Sequence, residues 1–158
     1  MAFNFILPLR VAQLALAVAV LGLVAYVASW YNGSTSVASP DQVNFLIFAA
    51  SWTTFLTIPY LTLSPRYFPQ MAHKFGILVA EVLAMLFWFA GFIALGVFLG
   101  NLVFCKGSVC NAARAATALG AVEWLLFAAT TIMATVHVVR TRRTTNEKPP
   151  PQMQYNGL

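Results

Sequence analysis

Two acids stand where acids are costly. Glu81 and Glu123 each lie inside a long apolar stretch, and an ionisable side chain at membrane depth is expensive and turns toward a bundle interior or a water-filled path. Such a carboxyl can carry a proton, hold a cation, or tie two helices together by hydrogen bonds. Depth helps to decide. Glu81 follows Lys74 by seven residues and Glu123 precedes Arg140 by seventeen. At helical rise these separations correspond to about 10 Å and about 25 Å from the same membrane edge. Two carboxyls at different depths make no evident relay, so interhelical ties are the expected role. His137, a third polar residue of the spans, and Lys74 are the expected partners of Glu81. Ser51 and the threonines Thr53, Thr54 and Thr57 are the expected partners of Glu123.

Cys105 and Cys110 are the two cysteines of the chain. They bracket a short loop, and the gap between them lets two sulfurs meet. If that loop lies in an oxidising compartment, a disulfide staples the flanking helices; free thiols or palmitoylated cysteines are the alternatives. Two cysteines without a nearby histidine make no zinc site. The sequence holds no HExxH, no glycine-rich phosphate loop and no GxSxG, so no catalytic residues, metal site or cofactor are expected. His73 has no companion. Asn32-Gly33-Ser34 is an N-glycosylation sequon, a weak signal so close to a span.

These residues are positioned by a chain that is 60% hydrophobic and 8% charged, against about 25% charged in soluble domains. So little charge cannot cover a water-facing surface, and a span needs about 20 mostly apolar residues. Four such spans fit, at about 11–30, 43–63, 75–104 and 112–139. The expected fold is all-α: one transmembrane four-helix domain over 1–143, with a disordered proline-bearing tail over 144–158. Pro59 marks a kink in the second span. The first span is longer than a signal-peptide core, and Arg10 comes late for a signal's basic start, so an uncleaved span is expected.

The net charge of +5 comes from basic residues at the ends of the spans, which fits membrane orientation better than nucleic-acid binding. Arg10, Arg66, Lys74, Arg140, Arg142, Arg143 and Lys148 fall on one side, and Lys106 and Arg114 on the other. The first side is expected to be cytoplasmic, with both termini on it. Arg140, Arg142 and Arg143 would face anionic lipid headgroups there.

Small residues recur at steps of three and four. One stripe is Ala12, Ala15, Ala19, Gly22, Tyr26 and Ser29; another is Ala113, Ala116, Gly120, Glu123, Phe127, Thr130, Ala134 and His137. Gly96 and Gly100 form a GxxxG. Small residues let membrane helices approach closely, so Ala19, Gly22, Gly96, Gly100, Ala116 and Gly120 are expected to pack the bundle together, with self-association as the sharper reading.

The segments LRVAQLALAVAVLGLVAY, VNFLIFAASWTTFLTIPYL, EVLAMLFWFAGFIALGVFL and CNAARAATALGAVEWLLFAATT, with the cysteine-bracketed loop between the third and fourth spans, resemble a small fungal member of the MARVEL superfamily of membrane-associating four-span proteins. The resemblance covers the chain to about Arg143 and carries no catalytic residues. It implies a left-handed bundle with cytoplasmic termini. It also implies roles in membrane apposition, vesicle traffic and organisation of sterol- and sphingolipid-rich plasma or secretory membrane. The expected partners are lipids, further copies of the chain or other membrane proteins. A small ion, proton or solute transporter built on Glu81 and Glu123 is one alternative, and an accessory subunit of a membrane enzyme is another.

Overall fold

A computed structural model describes the backbone of residues 3–67, 74–102 and 105–147 and the side chains of 5–63, 75–102 and 105–143. All regular structure among the described residues is helical. Helix α1 is Phe3–Ser34. The second span is α2, Asp41–Trp52, continued by a π-helical turn, Thr53–Thr57, and by α3, Ile58–Tyr67. Helix α4 is Lys74–Asn101 and α5 is Ser108–Glu147. Among the described residues, four helical segments are long and apolar enough to cross a membrane.

The boundaries depart from the sequence expectation in informative ways. Helix α1 begins well before Arg10, so this arginine belongs to the span rather than flanking it. Pro8 lies in its second turn, so the hydrogen bond that it removes lies close to the helix start. The third span ends at Asn101, short of the expected 104. The fourth continues to Glu147, so the first residues assigned to a disordered tail are helical. The rest of that tail, 148–158, lies outside the described residues. With 40 residues, α5 is about 60 Å long at helical rise. That is roughly twice the hydrocarbon thickness, so α5 projects beyond it.

Pro59 gives the second span its irregular turn. Proline cannot donate to the Phe55 carbonyl and its ring crowds that group. The chain answers with a π-helical turn just before it, a widening often found at functional positions.

The spans close into a ring in which α1 packs on α2 and α5, and α4 packs on the same two. Neighbours are antiparallel, so α1 and α4 run one way across the diagonal, and the second span and α5 the other. The connection between α1 and α2 is held by Thr35, whose N–H donates to the Tyr31 carbonyl at 3.2 Å. Before α5, Gly107 takes a φ of +101°, a left-handed conformation that suits glycine. Its carbonyl accepts the Asn111 N–H at 3.1 Å. Cys105 and Cys110 are disulfide-bonded, with Cα atoms 5.5 Å apart, and close this end of the α4–α5 pair.

The core comprises Ala17, Val20, Val24, Val27, Leu46, Ala84, Trp88, Leu95, Ala116 and Phe127. Large apolar side chains such as Phe5, Phe55, Phe75, Leu125 and Ile132 face outward, as a lipid-solvated surface requires. The two small-residue stripes separate here. On α5, Ala113, Ala116, Gly120, Glu123, Phe127 and Thr130 are all buried. On α1, Ala12, Ala15, Ala19, Gly22, Tyr26 and Ser29 are all exposed. Ala19 and Gly22 therefore do not pack this bundle. The inward face of α1 runs instead through Gln13, Ala17, Val20, Val24 and Val27. Gly100 is also exposed, and a Cβ added there would meet nothing within 4 Å, while Gly96 lies against Thr117. At Gly91 α4 approaches α2 closely, since a Cβ added there would meet Leu46 at 2.8 Å.

Candidate functional site

The bundle interior carries its polar groups in two layers. The first lies near the end that holds Arg140, Arg142 and Arg143, called here the basic end. Arg10, on α1, is buried, and its guanidinium reaches across the diagonal to Glu81 on α4. Arg10 Nη2 donates to Glu81 Oε1 in an ion pair, and Nη1 donates to Gln13 Oε1 at 2.9 Å. Thr130, on α5, donates its hydroxyl to Glu81 Oε2 at 2.8 Å, and the Gln13 amide approaches the same hydroxyl at 3.5 Å. Side chains from two other helices thus satisfy both oxygens of one buried carboxylate. A buried ion pair offsets the cost of desolvation only with this kind of added hydrogen bonding.

Of the two expected partners of Glu81, His137 is not found beside it. His137 is exposed on α5, because the helix has turned its side chain outward at that depth. The side chain of Lys74 lies outside the described residues. Arg10 takes the place expected of His137, because α1 extends toward the basic end far enough to bury it.

The second layer lies deeper. Glu123, on α5, is wholly buried, and neither carboxyl oxygen has a hydrogen-bond partner among the described residues. The threonines expected to serve it do not bond to it. Thr53 Oγ1 instead accepts from Trp88 Nε1 at 3.0 Å, and the hydroxyls of Thr54 and Thr57 are buried without partners. Phe127, fully buried on the face between Glu123 and Thr130, separates the two layers.

The remaining sequence candidates are dispersed. Asn32 is exposed in the last turn of α1. Arg142 lies over the Phe75 ring, 4.8 Å from its centroid, and Arg140 and Arg143 are exposed nearby on α5. His73 and Lys148 fall outside the described residues. Among the described residues no three His, Cys, Asp or Glu side chains are grouped to hold a metal ion. Sequence reasoning missed Gln13 and the inward role of Arg10. The signal was present: Arg10 and Gln13 stand three residues apart on one face in the first half of α1, and polar groups in a span turn inward.

Neither a curated protein nor a solved structure matches the chain at a significant level. The family model described as a membrane-associating domain, MARVEL, matches residues 3–133. That match covers the first three spans, most of the fourth and both polar layers, and the chain belongs to the MARVEL family of integral membrane proteins.

Proposed function

We propose that this is a non-enzymatic tetraspan protein that organises membrane subdomains, and through them membrane apposition and traffic, by packing against lipids and other membrane proteins. Both termini lie in the cytoplasm in this reading, because the basic residues gather at their end. One observation carries the proposal. On the outward surface of α1, Ala12, Ala15, Ala19 and Gly22 line up at steps of three and four as a strip that nothing in the bundle covers, flanked by the exposed Val11, Leu14 and Val18. A strip of small residues allows close approach of another helix or of a flat, rigid lipid.

A transporter reading draws less support. Its two carboxyls are divided by Phe127, and Glu81 is committed to Arg10.

Cysteine scanning in native membranes tests the proposal. Ala15→Cys, Ala19→Cys and Gly22→Cys should cross-link to neighbours on oxidation far more than Leu125→Cys. Gly22→Leu should disperse the protein's membrane clusters while leaving its fold intact. Equal cross-linking from both faces, with unchanged clustering of Gly22→Leu, would overturn the assignment.

A further inference from the structure

The unpartnered carboxyl of Glu123 has a counterpart. Thr57, in the π-helical turn, is 3% exposed and its hydroxyl also lacks a partner. The two residues come from diagonal helices, and the Trp88 ring fixes their common level. One edge of that ring donates to Thr53 Oγ1 at 3.0 Å. Another edge lies 3.7 Å from where a Cβ on Gly120 would stand. Thr57 is one turn beyond Thr53, and Glu123 one turn beyond Gly120. The second span and α5 run in the same direction, so both steps go toward the basic end, by about 6 Å and about 4.5 Å at helical rise. On α4, Ala84 occupies the same step from Trp88 and is fully buried with only a methyl group.

The layer therefore gathers the two Glu123 oxygens and the Thr57 hydroxyl, three unpartnered polar atoms, beside a small side chain. Buried polar groups without a protein partner are commonly served by internal water, which takes two to four polar contacts. We propose that Glu123 and Thr57 share a closed hydration site at the centre of the bundle, in which internal water bridges the carboxyl to the hydroxyl. Phe127, one turn beyond Glu123 on the same face of α5 and fully buried, stands between this level and Thr130 of the Arg10–Glu81 layer. A hard cation is the rival occupant, but three oxygens are only about half of what a calcium ion takes.

The test is water-edited solid-state NMR of the full chain in liposomes, with the Glu123 carboxyl carbon assigned by its disappearance in Glu123→Gln. Magnetisation should pass from water to that carbon. Thr57→Val, whose spectrum elsewhere should match the wild type, should reduce the transfer several-fold, and Thr57→Ser should keep it. A wild-type Glu123 carbon that receives nothing from water overturns the proposal, whether or not the variants fold. A Glu123 signal that shifts when sodium or calcium replaces choline also overturns it, and gives the site to a cation.

Discussion

Glu81 and Glu123 are both fully buried glutamates on neighbouring helices, and they are held in opposite ways. Glu81 is surrounded: a guanidinium, an amide and a hydroxyl from two other helices converge on it or on its partners. Glu123 is as deeply buried and has no hydrogen-bond partner among the described residues. The difference follows from where each helix begins. Helix α1 starts early enough to carry Arg10 to the depth of Glu81, and no basic residue of the spans reaches the depth of Glu123 on an inward face. One layer is thus tied by charge and the other is shaped by packing.

Breaking the charge tie should give the largest effect. Arg10→Leu leaves Glu81 buried without its cation, and removal of one member of a buried pair costs about 3–5 kcal/mol. Arg10→Leu combined with Glu81→Leu should recover most of that loss, since an apolar replacement of both partners is close to neutral. Reversible unfolding in bicelles measures both. Equal destabilisation by the single and double variants would show that the layer is held by shape rather than charge.

The deeper layer should respond to volume instead. A Cβ added to Gly120 would stand 3.2 Å from the Phe92 Cβ and 3.7 Å from the Trp88 ring. Gly120→Leu must displace both, and overpacking of this kind costs about 1–3 kcal/mol. The Trp88–Thr53 hydrogen bond should break with it, which a shift in tryptophan fluorescence would report. By contrast Gly22→Leu adds the same side chain where nothing lies within 4 Å, and stability should not fall. Glu123→Leu removes a carboxyl that bonds to no protein group, so its unfolding free energy should change by only about 1 kcal/mol. A loss as large as that of Arg10→Leu would erase the distinction between the layers.

Much of this architecture is legible in the chain. The four apolar runs define the spans, and the stripe from Ala113 to Thr130 identifies the inward face of α5 because Glu123 and Thr130 lie in it. The same spacing on α1 points the wrong way. Ala12 to Ser29 has the correct period for a packing face, but small side chains suit both a helix interface and a smooth outer surface. The decisive residue was Gln13, one position beside Ala12, whose amide cannot face lipid cheaply. Arg10 was misplaced for a related reason. Basic residues at the ends of apolar runs normally mark the membrane edge, and the first turns of α1, FNFILPL, are apolar enough to move that edge outward. The bare state of Glu123 was not legible, because partner choice depends on which rotation each helix adopts. Hydroxyls at Thr54 and Thr57 looked like its partners in sequence and are left unbonded in the fold.

The smallest expected effect sharpens the contrast between buried and exposed charge at one end of the molecule. Arg142 and Arg10 are the same residue type at the basic end, but Arg142 is exposed and lies over the face of Phe75, at 4.8 Å from the ring centroid. A cation–π contact at an exposed site contributes about 0.5–1 kcal/mol, so Arg142→Ala should lower bundle stability by only about 0.5 kcal/mol. Its larger consequence should be at the lipid surface. A basic residue beside anionic headgroups gains about 1 kcal/mol of attraction, and that attraction is screened by salt. Arg142→Ala and Arg143→Ala should therefore each weaken the enrichment of anionic lipid around the full chain in mixed-lipid nanodiscs, and raised salt should remove the difference from wild type. Arg10→Leu should leave that enrichment unchanged, because its guanidinium is already engaged by Glu81. If Arg10→Leu lowers the enrichment as much as Arg142→Ala does, Arg10 reaches the headgroups, and the buried pair with Glu81 is not its resting state in the membrane.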